Sequence, residues 1–412
     1  AMKVALHSDT LYYTSSGYIP DFSLNALATD NRVDFLLRLA DQSGQANRLR
    51  WAGHCNFATY NEASLSIDSS DVTIDAKPWV ILADNKVEFG KTGTHLINIG
   101  LKHGDEFVGI DGWVSRDSTK QLGINFNDFS LSHLNAALNA LNTRFGGATT
   151  GSATLTDLYA DLRLETNLNV QGMIINSDTV GNASFITGYD TKSNSLFINA
   201  DVIKGTAKII TIAGNYRFDD KVNAFDFDIK TDNFYLHTIE NLTDGLVSDL
   251  RGKVNLDLKL TGTPDKPVLD GTADFRKAAA TITYLNTRYN FSSKIAIHEN
   301  LIDLSGVKLY DRFGQEALVK GVIRHHYFSD FRFDLEMYPK KFEILNTALF
   351  QNSLYYGNAI ASGFAKFSGP LDDFQMDIAL SPDKGTVINI PLNTATEVSA
   401  SDFITFVNKR II

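Results

Sequence analysis

The sequence predicts an all-β protein built as one elongated β-sheet with a few inserted amphipathic helices. Three observations lead to this prediction. Apolar and polar residues alternate along most of the 412 residues, turn residues separate the alternating segments, and one unit recurs after roughly a hundred residues. A period of two is typical of strands that have one apolar and one solvated face.

The strongest alternation places ten large apolar residues on one face of three predicted strands. These residues are Phe225, Phe227, Ile229, Val254, Leu256, Leu258, Leu260, Phe331, Phe333 and Leu335. Charged or amide residues stand between them. A long apolar face must be buried against something. A sandwich, a closed barrel or a curled sheet filled by an apolar ligand would each do this, and alternation does not separate the three.

Turn sequences punctuate the strands at Asp84-Asn85, His103-Gly104-Asp105, Thr263-Pro264-Asp265 and Pro382-Asp383-Lys384-Gly385. With about 8–12 residues per strand and turn, the chain has room for on the order of 30 strands. Only 8 prolines are present and no linker-like segment appears, so the pattern favours one continuous body over separate globular domains.

The recurring unit consists of a short strand with Asn and Phe, a helix, and a glycine that restarts the strands. Its copies begin at residues 127–131 and 232–236 and resume at 151–155 and 252–256. The helices are expected to end near Leu141 and Leu250. Their apolar faces are Leu131, Leu134, Leu138 and Leu141, then Ile239, Leu242, Leu246 and Leu250.

This repetition divides the chain into three predicted segments, and repeats of this kind indicate an extended array. The segments are 1–126, 127–231 and 232–412. A third, shortened copy is expected to start at 341–345, with Gly357 and Gly363 resuming the strands. Phe129 and Phe234 hold matching places in the first two copies, where they are expected to anchor the helices to the sheet.

Composition excludes several classes of function. The net charge of −10, without clustered Lys and Arg, argues against nucleic acid. Cys55 is the only cysteine, so neither an intrachain disulfide nor a cysteine-based metal site is possible. No apolar run approaches the roughly 18–20 residues of a membrane span. The opening Ala1-Met2 is typical of a cloning remnant, so we expect a piece of a longer protein.

The sequence contains no recognisable catalytic or metal motif, so an enzyme is not predicted and neither is a cofactor. His325 and His326 are adjacent and point to opposite faces of a strand, which prevents them from holding one ion together. The glycine-rich segment 146–151 lacks the Lys-Ser/Thr ending of a phosphate loop. It is expected to be a turn. Acidic residues fall mostly at the solvated strand positions.

A series of short strand and turn phrases follows in a fixed order through residues 220–406. The phrases are Gly252–Thr263, Pro267–Ala273, Leu309–Ala317, Gly321–His325, Tyr355–Ala359, Phe367–Pro370, Lys384–Thr386 and Ile390–Leu392. In their order and spacing, residues 220–406 resemble the TamB (translocation and assembly module) family of the AsmA-like group, in the form found in Bacteroidota. Residues 1–220 are similar in style but carry less specific phrases.

The resemblance implies an elongated, curled (taco-like) open β-sheet whose hydrophobic concave groove binds phospholipid acyl chains. It also implies a periplasmic location, an inner-membrane anchor outside this chain, and a BamA-like (TamA-type) outer-membrane barrel as partner. On this basis we predict a segment of a bridge-like protein that moves phospholipids between the inner and outer membranes. The ten alternating residues are then expected to line the groove.

There are two alternative functions. The first is a scaffold or chaperone for outer-membrane protein assembly, which would pair incoming strands with its sheet edges. The second is a carbohydrate-acting β-helix enzyme, which needs clustered carboxylates that the alternating pattern does not supply.

Overall fold

The computed structural model describes residues 1–12, 18–40, 48–74, 76–135, 143–243, 245–327, 329–352, 354–370 and 373–391. Within them, 28 strands form one long antiparallel sheet. The all-β prediction is therefore confirmed, and the number of strands is close to that expected from the turns. The curl of the sheet stays a prediction.

The first sixteen strands run through the amino-terminal half of the chain. They are β1 Met2–Tyr12, β2 Tyr18–Thr29, β3 Arg32–Ala40, β4 Arg48–Thr59, β5 Glu62–Ile74, β6 Lys77–Ile81, β7 Lys86–Gly90, β8 Gly93–His103, β9 Glu106–Val114, β10 Gln121–Ser130, β11 Phe145–Thr156, β12 Arg163–Ile175, β13 Asp178–Asp190, β14 Ser195–Lys204, β15 Ala207–Arg217 and β16 Phe225–Thr231.

The remaining twelve strands follow with shorter segments among them. They are β17 Phe234–Tyr235, β18 Val247–Thr263, β19 Lys266–Ile282, β20 Thr287–His298, β21 Leu301–Asp303, β22 Val307–Tyr310, β23 Glu316–His326, β24 Ser329–Pro339, β25 Phe342–Thr347, β26 Tyr356–Pro370, β27 Gln375–Pro382 and β28 Val387–Asn389.

The chain divides into two compact units. Unit 1 comprises residues 1–234, 254–273 and 297–299, and unit 2 comprises 235–253, 274–296 and 300–412. The three-segment division predicted from the repeat is a separate description of the chain, and its boundaries stay a prediction.

Unit 1 is a meander in which strands pair with their neighbours in the sequence. β1 to β5 pair in order, and β8 to β16 pair in order. Between these two runs, β6 and β7 each pair with β5 on one side and with β8 on the other. β16 then pairs with β18. Sequential antiparallel pairing keeps the alternating faces of neighbouring strands in step.

Unit 2 holds its core in two hydrophobic clusters. The first centres on Tyr289, Ala317 and Phe342, and the stacked rings of Tyr289 and Phe342 lie 4.9 Å apart. The second centres on Ile295, Val307 and Val319. Both Ala317 and Phe342 are fully buried, so this region of β20 to β25 is a packed core.

A left-handed residue with a capped backbone N–H marks the start of each predicted repeat. Asp128 has a φ of 46° and donates its N–H to the Thr150 hydroxyl at 3.1 Å. Asn233 has a φ of 52° and donates to Asn255 Oδ1 at 2.7 Å. The third copy repeats the arrangement, since the Lys341 N–H donates to the Ser362 hydroxyl at 2.8 Å. Each copy thus begins with a left-handed residue whose N–H is bonded to a side chain of another strand, and in the first copy a register shift between Phe126 and Phe129 marks a β-bulge there.

The phenylalanine after each of these left-handed residues is buried or contacts another aromatic ring. The Phe129 ring lies 6.1 Å from the Trp79 ring, while Phe234 and Phe342 are buried. Gly151, which restarts the first copy, has a φ of 144°, and a Cβ there would lie 2.1 Å from the carbonyl oxygen of Asn167. This position needs glycine because the neighbouring backbone occupies the side-chain space.

The helix of the second copy is shorter than predicted, and that of the first copy is described only at its start. Leu131–Leu134 forms a 3-10 turn, whereas Leu138 and Leu141 lie outside the described residues. In the second copy the 3-10 segment covers Leu236–Thr243. The predicted continuation to Leu250 is wrong, because Gly245 adopts a φ of 76° and β18 begins at Val247. The apolar residues Leu246 and Leu250 therefore do not share a helical face with Ile239.

Candidate functional site

β16 and β18 bring five of the ten predicted groove residues onto one face of unit 1. Phe227 pairs with Leu260, and Ile229 pairs with Leu258. Phe225 lies two residues before Phe227 on the same side of β16, and the two rings are 6.2 Å apart. Alternation along each strand and register between the strands therefore combine into one apolar surface.

The opposite face of the same two strands is charged. Lys259 Nζ lies 2.5 Å from Asp226 Oδ1 and 3.4 Å from Asp228 Oδ1. Lys230 Nζ lies 3.6 Å from Asp257 Oδ1. The hydrogen bond from Lys259 lowers the pKa of Asp226 below its ordinary value, so this carboxylate is ionised at neutral pH. The two faces of β16 and β18 thus differ as the alternation predicts.

The apolar surface continues far beyond β16 as a row of directly paired residues, here named the long apolar row. Fifteen strands each contribute one residue to it, and none of these residues is charged. In pairing order the row is Phe225, Tyr216, Leu196, Tyr189, Leu164, Leu155, Leu122, Gly112, Leu96, Val87, Leu65, Cys55, Val33, Ala28 and Met2. At about 4.8 Å between strands, its length along the sheet is roughly 65 Å.

A second apolar row runs beside it and begins at Leu258. Its eleven members are ten hydrophobic residues and one glycine. In order they are Leu258, Ile229, Ile212, Ala200, Phe185, Leu168, Gly151, Phe126, Val108, Leu101 and Ile81. Two of the ten predicted groove residues, Ile229 and Leu258, therefore belong to a surface that crosses eleven strands.

The burial of the long apolar row distinguishes it from a packed core. Fourteen of its fifteen residues are half-buried, and Met2 at its end is exposed. Large apolar side chains at the centre of a sandwich are almost fully removed from solvent. The row therefore keeps apolar surface available along its whole length.

The ten predicted residues separate by burial into two groups. Val254, Phe227 and Leu258 are buried, with exposed fractions of 2, 5 and 8 %. The other seven are half-buried. Near Val254, the Thr231 hydroxyl donates to the Val254 carbonyl at 3.1 Å and accepts from the Leu256 N–H at 2.9 Å. The buried residues contribute packing, so any contact with a ligand falls mainly to the half-buried ones.

The three predicted residues of β24 lie in unit 2. Leu335 packs against the cluster of Ile295, Val307 and Val319. The Phe333 ring meets the Phe374 ring edge-on at 5.3 Å, and the Phe331 ring lies 5.9 Å from the buried His325 ring. These three residues are half-buried, and Leu335 among them borders a buried cluster.

A concavity in unit 1 lies on the same apolar face near the first strands. It has a volume of about 710 Å³, and Phe57, Ala63 and Phe89 contribute its apolar lining. These three residues pair directly across β4, β5 and β7. Phe57 and Phe89 are each 42 % exposed, so apolar surface is accessible here too.

Unit 2 contains a pair of buried carboxylates that the alternating pattern does not reveal. Asp311 and Glu343 are 2 % and 1 % exposed. Glu343 Oε1 accepts from Arg312 at 2.6 Å and from Asn358 at 2.5 Å, while Asp311 Oδ2 accepts from the Glu343 N–H at 2.9 Å. Burial raises the pKa of Glu343. These bonds tie the turn after β22 to β25, so the cluster stabilises the fold.

Histidines and carboxylates do not assemble into a metal site in the described part of the chain, since no group of three suitable ligands occurs there. His54 Nδ1 contacts Asp68 Oδ2 at 2.8 Å across β4 and β5. His325 is buried and His326 exposed, as expected for neighbours on a strand. Among the described residues, no helix has the length and apolarity needed to cross a bilayer.

The sequence did not single out most members of the long apolar row, although Phe225 was one of the ten predicted groove residues. Tyr216, Tyr189 and Leu122 were not singled out because their strands alternate less regularly. Each strand contributes only one residue to the row. The row exists through the register between strands, and this register is set by turn lengths and bulges far from any one residue. A signal visible in the sequence is the recurrence of one Leu, Val or Tyr per predicted strand.

Comparison of the chain with protein-family models, with curated proteins and with solved structures gives no match.

Proposed function

We propose that this chain is a segment of a periplasm-spanning, bridge-like protein that moves phospholipids between the inner and outer membranes along a hydrophobic β-groove. The long apolar row supports the proposal. It offers an apolar surface across fifteen paired strands, and it keeps that surface half-exposed.

The chemistry of the row suits acyl chains. Each CH₂ group removed from water contributes about 0.8 kcal/mol, so a row of Leu, Val, Tyr and Phe side chains binds hydrocarbon without a special pocket. Neighbouring strands contribute side chains of similar, uncharged and mostly apolar character to the row. Acyl chains can then move from one strand to the next without a deep local minimum, and head groups stay in water.

Location and partner follow from the same proposal. The resemblance of residues 220–406 to the TamB family supports a periplasmic position, an inner-membrane anchor outside this chain and a BamA-like outer-membrane partner. On this proposal no cofactor or catalytic residue is required, because transport consists of binding and sliding.

Photo-crosslinking at two phenylalanines tests the proposal directly. Phe225 starts the long apolar row, whereas Phe197 is 38 % exposed on the opposite face and pairs with Gly188 and Asn215. We expect benzoylphenylalanine at position 225 to form phospholipid adducts in cells, detected by mass spectrometry. The same group at position 197 should form few or none. Equal adducts at both positions, or none at 225, would contradict the proposal.

Lipid content of the purified chain gives an independent test. Ile229→Asp places a carboxylate in the second row, where hydrocarbon cannot solvate it. Asn199→Asp places the same carboxylate at an exposed position on the polar face of β14. We expect phospholipid to co-purify with the wild type and with Asn199→Asp but not with folded Ile229→Asp. If an unfolded barrel protein co-purifies through a salt wash instead of lipid, the scaffold function is supported.

A further inference from the structure

Three loops of unit 2 present a group of exposed, large apolar side chains, here named the loop patch. Its members and their exposed fractions are Leu246 58 %, Tyr284 62 %, Leu349 53 %, Phe350 88 % and Leu354 72 %. Isolated exposed apolar residues are common on proteins, but a contiguous group of this kind marks an interaction surface.

Hydrogen bonds hold the three loops together. The Thr283 N–H donates to the Leu246 carbonyl at 3.2 Å, and the Asn346 N–H donates to the Leu285 carbonyl at 3.0 Å. The Tyr355 hydroxyl donates to the Tyr284 hydroxyl at 2.9 Å. The five apolar side chains are therefore presented from one connected scaffold.

The third loop, which carries Leu349, Phe350 and Leu354, pairs several of its own backbone groups in hydrogen bonds. The Ala348 carbonyl accepts from the N–H groups of Gln351 and Asn352 at 2.9 and 3.2 Å. The Ala348 N–H donates to Gln351 Oε1 at 2.8 Å, and the Leu354 N–H donates to Asn352 Oδ1 at 3.0 Å. A loop that already satisfies these polar groups loses less free energy when it leaves water for a less polar medium.

Charge is scarce around the loop patch. Residues 346–355 and 283–287 contain no Asp, Glu, Lys or Arg, in a chain of which 21 % is charged. Residues 245–248 around Leu246 also contain none, although Asp244 and Asp249 flank them and Asp249 pairs with Arg288. Protein interfaces favour Trp, Tyr and Arg and are poor in Leu as hot spots. Exposed Leu and Phe in the same group as a pair of tyrosines are instead typical of segments that enter the bilayer interface.

We propose that the loop patch docks unit 2 onto the surface of a lipid bilayer, with Leu349, Phe350 and Leu354 inserted among the head groups and upper acyl chains. Tyr284 and Tyr355 then lie at the level of the head groups, where their rings are apolar and their hydroxyls stay wet. The loop patch belongs to unit 2 and the long apolar row to unit 1, so separate variants test the two functions.

Co-sedimentation of the whole chain with phosphatidylcholine–phosphatidylethanolamine vesicles tests the docking. Phe350→Ser combined with Leu354→Ser removes two of the most exposed apolar side chains, and we expect at least about tenfold weaker vesicle binding. The matched control is Tyr60→Ser combined with Val222→Ser, since these residues are 94 % and 72 % exposed in unit 1. This control should bind as the wild type does.

A fluorescence measurement separates insertion from other binding. Phe350→Trp should show a blue-shifted indole emission that is quenched by lipids brominated near the head group, relative to the wild type with its 3 tryptophans. Ile229→Asp, which alters the second apolar row in unit 1 and not the loop patch, should still bind vesicles.

Three results would overturn the docking proposal. They are a wild type that does not bind vesicles, a double variant at 350 and 354 that binds as the wild type does, and a double variant that loses only self-association on size-exclusion chromatography. The last result would identify the loop patch as a contact between copies of the chain.

Discussion

The apolar face of β16 in unit 1 and that of β24 in unit 2 have the same alternating sequence pattern but different surroundings. In unit 1, Phe225 continues into a row of half-buried side chains across fifteen strands. In unit 2, Leu335 packs against the buried cluster of Ile295, Val307 and Val319. The pattern therefore specifies which side of a strand is apolar, while the packing of more distant segments decides whether that side becomes core.

The largest difference between the two regions should appear when one aromatic ring is removed from each. Phe342→Ala deletes a fully buried ring stacked on Tyr289 and should lower the free energy of unfolding by about 3–5 kcal/mol. Phe225→Ala removes a half-buried ring and should cost about 1–2 kcal/mol. Urea denaturation, with hydrogen exchange of β25 and β16 peptides to locate the effect, measures both. Equal losses would show that the unit 1 face is packed as tightly as the unit 2 core.

A smaller contrast lies within one strand of the predicted groove. Leu258 is 8 % exposed and Leu260 is half-buried. Leu258→Asp should destabilise unit 1 by roughly 3 kcal/mol or more, because a carboxylate there is removed from water without a partner. Leu260→Asp should cost about half as much. If the urea midpoints of the two variants coincide, the difference in burial does not make Leu258 a core residue and Leu260 a groove residue.

The bulge that opens the first repeat offers a comparison of two adjacent threonines. Thr150→Val removes the acceptor of the Asp128 N–H and should destabilise by about 1 kcal/mol. Thr149 is buried, and its hydroxyl has no hydrogen-bond partner among the described residues. Thr149→Val should therefore be neutral or stabilising. Thermal unfolding of both variants measures the two changes in stability. If Thr149→Val alone destabilises the protein, the hydrogen bond to the Thr150 hydroxyl is not the stabilising one.

The smallest expected effect is a dependence on pH in unit 2. Burial raises the pKa of Glu343 above its ordinary value, and Arg312 and Asn358 offset part of that shift. The unfolded chain ionises at lower pH than the folded chain, so the contribution of Glu343 to stability falls as pH rises from about 4.3 through the folded-state pKa.

Glu343→Gln isolates this contribution. We expect the free energy of unfolding of the wild type to decrease, relative to that of Glu343→Gln, as pH is raised through that window. Urea titrations of both proteins at a series of pH values measure the difference. A difference that stays constant would show that folding leaves the pKa of Glu343 unchanged, and one that changes in the opposite direction would show that folding lowers it.

The sequence by itself determined the all-β class, the approximate number of strands and the apolar faces of β16, β18 and β24. These features depend on alternation and turn residues, which act over a few neighbouring positions. It also placed Asp128 and Asn233 at equivalent places before their phenylalanines, and both residues adopt the left-handed conformation. The helix expected up to Leu250 was wrong, since tertiary pairing in β18 overrode its helical periodicity.

Only the tertiary structure decided how residues from distant strands combine. The long apolar row depends on the register of fifteen strands, and the Asp311–Glu343 cluster depends on a turn that reaches β25 from 31 residues away. The loop patch depends on three loops that meet through hydrogen bonds. Such arrangements are set by pairing and packing between segments far apart in the chain, for which local sequence patterns carry little information.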